Sequence, residues 1–569
     1  MASPAFSHPW GSGRWFVVTF AIVAAVLLLL GREFYFFTPL YETGDLAANS
    51  LQIDRAIHLA EILGNYSRFQ FHHPGPAFFY VYGAGQVVFS DILHIVPGPH
   101  NGQLLAGALL QAAFLSLGIT VAGRFVGVNR GVFVAAAISL ALIHFHLSGN
   151  LEFSLWPPDQ LVVPFLAFVM VAAGLSCGWI ELLPVLVLCG GFLVHGHVAQ
   201  PLFVGPLGAA SVALGCWRSY RAGAAPLRSF LRTNMRWFAA ALTLLAVFVA
   251  PLVLDAARGP GSNLSAIVAY LGVPAAPSDA HPASHFATYL LSFLAYPAER
   301  ATLDFSPGQL ASYFGGHPAG LAASVLVLVI WPVGLWFSRK RGRVDSAARP
   351  APDAEPASAS SPRLELRGLI ASGYLFVALT AALALIWVAL QRGPLYEFNS
   401  FFIYGLMYAA ALLPLAAAAN RLTVSAGRVA ATIAAAVAVV LVATTALPMP
   451  MAEDPNGLRI YDDVRAVVAR KSSQSPVLLE FRPVDWPDAL AVALSLDRCH
   501  VQWYVEPAES FLFGPDHVFV SGATSSAGTG GNAAVTPEKW WLVPPNSTHV
   551  GQVPLGATLA IYPPPSLSR

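Results

Sequence analysis

Ionisable side chains gather at three places along this chain, each short enough to act as one site. The first is ETGDLAANSLQIDRAIHLAEILGNYSRFQFHHPGP, residues 42–76. Asp45 there is the right type for a general base, since a carboxylate can take the proton of an attacking hydroxyl. It equally suits a helix N-cap, where it would accept free backbone N–H groups and do no chemistry. Glu42 competes for the acid role, and Asp54 reads as a solvated face residue. His72 and His73 precede Pro74-Gly75-Pro76, whose two prolines fix the backbone and hold the imidazoles in place. They suit contact with a phosphate or a metal, or hydrogen bonds to their own loop.

The second place is HFHLSGNLEFSLWPPDQ, residues 144–160, with His144, His146, Glu152 and Asp159. Asp159 directly precedes an apolar stretch and could cap it; Glu152 and Asp159 are both candidates for substrate contact. The third is VHGHVAQP, residues 194–201. His195 and His197 lie on different helical faces, so one at most faces the core easily, and His197 is favoured. A histidine in an apolar segment is commonly a hydrogen-bonded structural group. No HxxxH or HExxH spacing occurs, so a divalent cation is compatible with these residues but not required. His281, His285, Glu299, Arg300, Asp304 and His317, and then Tyr396, Glu397 and Asn399, are further candidates.

The elements that must position these groups are set by composition. Of 569 residues, 56% are hydrophobic and 11% charged, with mean hydropathy +0.61. A soluble domain carries about 25% charged residues, so a soluble enzyme and a largely disordered chain are both excluded. Net charge is +1, which leaves no basic field for nucleic acid. Four cysteines with no CxxC pair argue against a disulfide framework or a thiolate zinc site. A polytopic membrane protein remains.

A spanning helix needs roughly 20 mostly apolar residues. Such stretches lie near 14–31, 104–123, 131–147, 161–177, 181–196, 198–216, 237–254, 318–338, 368–389, 400–419 and 429–447. The first is followed by Arg32 and Glu33 without a cleavage site and reads as a retained span. Arginine-rich segments 217–236 and 339–367, with Arg124/Arg130 and Arg421/Arg428, mark cytoplasmic loops. The stretch 76–97 is long enough to span, but would invert every later basic loop. It is expected to lie along the outer interface, where its glycines and aromatics fit. Eleven spans then put the N-terminus inside and the C-terminus outside a bacterial-type plasma membrane. The three sites all fall on the outer side.

The expected fold is an α-helical polytopic membrane protein with about eleven spans and outer-face interfacial helices, plus a small α/β C-terminal domain. The membrane part covers 1–447, with 32–103 its first outer loop and interfacial helices and 340–366 a disordered Ala/Pro/Ser-rich linker. Within the loop, Asp45 opens an amphipathic helix with Leu46, Ile53, Ile57 and Ala60 on one face, expected to lie on the membrane surface. The tail, 448–569, has soluble composition. Strand character at 477–481, 501–505, 540–544 and 557–562 alternates with helical patterns at 457–470 and 485–498. Residues 521–535 read as a flexible loop. An accessory role fits this tail better than a catalytic one.

The order of these features resembles the GT-C superfamily of membrane glycosyltransferases, closest to its RgtA/B/C/D-like, polyprenyl-phosphate-sugar-dependent branch. Such enzymes carry an acid just after span one, matched here by Gly44-Asp45. A His-Pro-Pro-like element opens an interfacial helix, matched by His73-Pro74-Gly75-Pro76. Another acid lies between spans three and four, a place Glu152 or Asp159 would fill. A Thr-His-like element at the end of span five is matched loosely by Gly196-His197. The likeness covers roughly residues 14–216, and HHPGP departs from the commoner form. It implies transfer of a sugar from a polyprenyl-phosphate donor to a glycan, lipid or protein acceptor on the outer face, with inversion. Asp45 would be the general base. Arg55, Arg68, His72, His73 and His197 would stabilise the leaving phosphate, with or without a divalent cation. A transporter or lipid flippase would instead require charges in mid-span and an internal repeat, and neither is evident. A cell-wall glycan polymerase or ligase would share the same outer-face site.

Overall fold

The computed structural model describes residues 10–67, 69–124, 126, 129–223, 227–272, 281–296, 305, 307–322, 324–325, 362–423, 425–427, 429–430, 432–433, 436, 440, 455–470, 476–514, 517–518, 537–542, 553–555 and 559–561. Most of these are helical. In chain order the α-helices are α1 (Trp10–Leu30), α2 (Gly44–Ile57), α3 (Ala77–Gly85), α4 (Pro99–Ala122), α5 (Arg130–Leu147), α6 (Val162–Ser176), α7 (Leu183–Gly196) and α8 (Gln200–Gly223). There follow α9 (Leu227–Ala256), α10 (Asn263–Gly272), α11 (Ala283–Ser292), α12 (Leu310–Gly316), α13 (Pro362–Leu390) and α14 (Phe402–Ala419). The tail adds α15 (Pro455–Arg470), α16 (Trp486–Arg498) and α17 (Ser510–Phe513).

Among the described residues, seven helices are long and apolar enough to cross a membrane: Gly13–Leu30, Pro99–Ala122, Arg130–Leu147, Asp159–Ser176, Arg228–Ala256, Leu366–Leu390 and Phe402–Ala419. A helix closes its own backbone hydrogen bonds, which is why lipid tolerates it. Each of the seven coincides with an expected span. The expected spans at 181–196 and 198–216 are helical as α7 and α8, outside these seven. Those at 318–338 and 429–447 lie largely outside the described residues. The stretch 76–97 forms α3 and then a π-helical run, Gln86–Ile92, and is not one of the seven.

The chain divides into two compact units. The first comprises 1–31, 73–77 and 107–448. Its centre is α6, which is apolar on every side and buried along its whole length, as expected of a helix that must be enclosed. Helices α14, α8, α13 and α7 pack around it. By contrast α9 leaves Leu242 66% and Val253 59% exposed, an arrangement costly in water and neutral in lipid.

The second unit comprises 32–72, 78–106 and 449–569. A two-stranded hairpin pairs β1 (Tyr66–Ser67) with β2 (Phe71–His72). The tail forms a five-stranded sheet from β3 (Val477–Glu480), β4 (Trp503–Val505), β5 (Glu538–Leu542), β6 (Val553–Leu555) and β7 (Leu559–Ile561). Strand order is β4-β3-β5-β7-β6. β3 runs parallel to β4 and β5, while β7 is antiparallel to β5 and β6. All four residues of β3 are buried, which fits a central strand covered on both faces. The loop expected at 521–535 lies outside the described residues.

One expectation is corrected here. Helix α2 does not rest its expected apolar face on a membrane surface: Leu46 and Ile53 are buried, and Ile53 and Ile57 lie against Gly83 of α3. On another face Ala47, Ala48 and Leu51 enter the same hydrophobic core as Ile460, Val464, Leu490, Leu494, Trp503 and Trp540. Small side chains on this face let α16 pack closely against α2. Three polar residues of α2, Asn49, Ser50 and Gln52, are buried too, and each has a partner. The Asn65 amide donates to Asn49 Oδ1 at 2.8 Å, Gln52 Nε2 donates to the Gly64 carbonyl at 3.0 Å, and Ser50 Oγ donates to Glu42 at 2.7 Å. Burying such groups is tolerable only when they are hydrogen-bonded.

Candidate functional site

The candidate residues fall in both units. Asp45, Arg55 and His72 belong to the second; His73, Glu152, Asp159 and His197 belong to the first. Arg68 lies outside the described residues.

In the second unit, Asp45 stands in the first turn of α2. The N-cap is Thr43, so Asp45 is not the cap. Its charge is favoured by the helix dipole at that end. Gly44, just before it, has φ +52°, a left-handed conformation that a side chain resists. The Tyr66 hydroxyl donates a hydrogen bond to Asp45 Oδ1. Hairpin pairing sets Tyr66 opposite His72, and Gln70 at φ +61° makes the turn between them. His72 Nδ1 donates to the Gly64 carbonyl at 3.2 Å, and its ring lies 4.7 Å from that of Phe511.

The structure separates Asp45 from its competitors. Glu42 is 2% exposed. Arg498 grips it through two hydrogen bonds of 2.7 and 2.8 Å, Ser50 donates at 2.7 Å, and His100 Nδ1 lies 3.2 Å away. Burial alone would raise its pKa, but Arg498 and then His100 outweigh this and hold the carboxyl well below the usual range. A carboxylate so encased is an anchor. Asp54 is not the solvated face residue expected: burial pushes it up to about 6 against the pull of Arg498, and Gln86 Nε2 donates to it at 3.3 Å. Arg55 is paired with Glu61 at 2.7 Å, and Glu61 also accepts the Ile62 and Leu63 amides.

In the first unit, three histidines cluster where the HHPGP segment meets the end of α7. His73 Nδ1 accepts the Val198 amide at 3.2 Å, and His197 Nδ1 accepts the Ala199 amide at 3.1 Å. Their rings lie 4.5 Å apart. An Nδ1 that accepts assigns the proton to Nε2 in each neutral ring. Burial holds His197 down to about 4, so it is neutral at physiological pH. His195 is spent on scaffolding: Nε2 donates to the Phe248 carbonyl at 2.7 Å and Nδ1 accepts the Ala77 amide at 3.3 Å. A Cβ on Gly75 would fall against the His195 ring. That close approach accounts for glycine between the two prolines.

The 144–160 turn is also enclosed. Glu152 sits in a short 3₁₀ turn after Asn150, which adopts φ 58°. Burial pushes its carboxyl up to about 8, helped by neighbouring Asp159, while Ser148 donates to it at 3.3 Å. It is therefore protonated at neutral pH. Asp159 is fully buried in the 3₁₀ turn ahead of α6. An apolar cavity of about 460 Å³ lies among α7, α8 and α9, walled by Leu186, Val194, Val204, Phe248 and Leu252 with His195 at its side. Among the described residues, no group of three or more His, Cys, Asp or Glu side chains could hold a metal ion.

Arg498, His100 and Tyr66 were not legible as site residues. Each acts through a partner distant in sequence, 456 residues away for Arg498 and Glu42, so no local spacing marks it.

No protein-family model matches the chain, and no curated protein does. Among solved structures, ArnT from Cupriavidus metallidurans bound to undecaprenyl phosphate is similar at 14% identity and TM-score 0.38, covering 90% of each chain. The same protein in the apo state is similar at 12% and 0.34, covering 89% of each. The apo oligosaccharyltransferase from Archaeoglobus fulgidus is similar at 12% and 0.29, covering 88% of this chain and 66% of its own.

Proposed function

We propose that this chain is an integral membrane glycosyltransferase of the GT-C kind. It would move a sugar from a polyprenyl-phosphate donor to an acceptor hydroxyl on the outer face, with inversion. The observation that carries this reading is Asp45, set at the positive end of α2 and oriented by the Tyr66 hydroxyl while Glu42 is consumed by Arg498. Geometry comes before pKa in choosing a base.

In the reaction, Asp45 takes the acceptor O–H proton as that oxygen bonds the anomeric carbon. The bond from the anomeric carbon to the phosphate oxygen breaks, and the polyprenyl phosphate leaves with the electron pair. Preorganised donors must meet that charge. Nε2–H groups on His73 and His197 suit this role. Arg55 suits it less, because Glu61 already neutralises it. Glu152, protonated, would act as a hydrogen-bond donor. The apolar cavity among α7, α8 and α9 has the lining a polyprenyl chain prefers.

The test is Asp45→Asn in purified protein supplied with radiolabelled polyprenyl-phosphate sugars and a cell-envelope acceptor extract. Transfer should fall at least about 100-fold, as expected for a lost general base. Transfer at the wild-type rate would reject Asp45 as the base.

A further inference from the structure

A pocket of about 450 Å³ lies in the second unit, lined by Tyr66, Ser67, Gln70, Trp486, Phe511 and Leu512. We propose that it is the acceptor subsite, built to hold a sugar ring beside Asp45. This rests on the glycosyl-transfer reading above and adds which part of the protein recognises the acceptor.

Three aromatic rings form its walls. The Tyr66 ring meets Trp486 edge-on at 6.2 Å and Phe511 edge-on at 6.3 Å. Edge-to-face contacts hold such rings in fixed orientations. Each remains only partly buried, so ring surface is left for a ligand. The hydroxyl of Ser67 and the amide of exposed Gln70 stand among them. A sugar ring has the matching character, with apolar C–H faces and a polar rim. An alkyl chain has no use for the polar groups and matches instead the aliphatic cavity of the first unit. The volume falls in the roughly 300–1,000 Å³ range of small-molecule sites.

Tyr66 ties the pocket to the reaction, since its ring lines the wall while its hydroxyl bonds Asp45. A ring seated there presents its hydroxyls within one side chain of the base. Trp486 opens α16, and Phe511 and Leu512 belong to α17. The tail therefore supplies half of the lining, which gives it a direct part in choosing the acceptor.

The test uses full-length protein in phosphatidylcholine nanodiscs, free of sugar detergents. Saturation-transfer NMR would be recorded with methyl glycosides of mannose, glucose, galactose and arabinose. At least one should bind. Trp486→Ala and Phe511→Ala should each weaken it about tenfold or more, and Trp486→Phe should restore most of the loss. Ser67→Trp, which fills the pocket from a partly exposed rim position, should abolish binding even if the alanine variants fold poorly. Asp45→Asn should keep binding and lose transfer. Absence of binding by all four glycosides, or wild-type binding in the folded Trp486 and Phe511 variants, overturns the subsite. Binding of n-octanol that no glycoside displaces overturns it in favour of an acyl chain. If Asp45→Asn keeps transfer while the pocket variants lose glycoside binding, the base assignment fails and the subsite stands.

Discussion

Glu42 and Glu152 are both buried carboxyls, yet their surroundings drive them in opposite directions. Glu42 is held ionised by Arg498 and His100. Glu42→Gln would leave Arg498 without its counter-charge, with an expected loss of about 3–5 kcal/mol in a denaturation midpoint series. The sign in pH follows from a folded pKa below the ordinary 4.5. The stabilisation is present above about 4.5 and is lost as pH falls below it. Acid melts of the wild type should show that loss, and Glu42→Gln should not. Glu152 is the reverse case, with its folded pKa raised to about 8. Its stabilisation is full below about 4.5 and lost as pH rises through 8. Glu152→Gln should leave the melting temperature at pH 4 nearly unchanged and flatten the decline between about pH 4.5 and 8. An unchanged decline over that interval would mean that Glu152 is not the group responsible.

At the scale of elements, the site depends on turns as much as on helices. Gly75 lets the HHPGP segment pass against His195 at the end of α7, with the Gly75 amide donating to the His195 carbonyl at 3.4 Å. Gly75→Ala must displace that ring and, with it, the backbone that orients His73. We expect a loss of about 1–3 kcal/mol from overpacking. Transfer should fall further than stability, and the ratio of the two in one preparation checks it. Gly44→Ala tests the entry to α2 separately. Its left-handed φ should cost about 1–2 kcal/mol, read from the melting temperature. Much at this scale was legible in the sequence. The amphipathic pattern opening at Asp45 became α2, and the patterns at 457–470 and 485–498 became α15 and α16. What escaped was the neighbour of each face. The apolar side of α2 fits a membrane or a protein core equally well by composition, and only the packing of α3 against Ile53 and Ile57 decides between them.

For the molecule as a whole, residues 32–72 and 78–106 fold with the tail as one unit. Ala47, Ala48 and Leu51 share its core, and Glu42 depends on Arg498. A chain ending at residue 448 should still insert, because its apolar helices need no tail. It should lose order in α2, seen as rapid amide exchange over 44–57 and new protease cleavage there. Wild-type protection of that segment in the shortened chain would show that α2 stands without the tail.

Composition and hydropathy by themselves determined that this chain lives in a membrane, where its apolar stretches run and which segments carry ionisable groups. Those properties are additive along a chain, so they survive in one dimension. Tertiary structure decided which carboxyl is buried against an arginine and which is left beside a tyrosine hydroxyl. It decided which imidazole nitrogen carries the proton, and which tail aromatics stand near Asp45. Most such choices are set by contacts between segments well separated along the chain, from 21 residues for Asp45 and Tyr66 to 456 for Glu42 and Arg498, and dielectric, partner and orientation exist only once those segments have met.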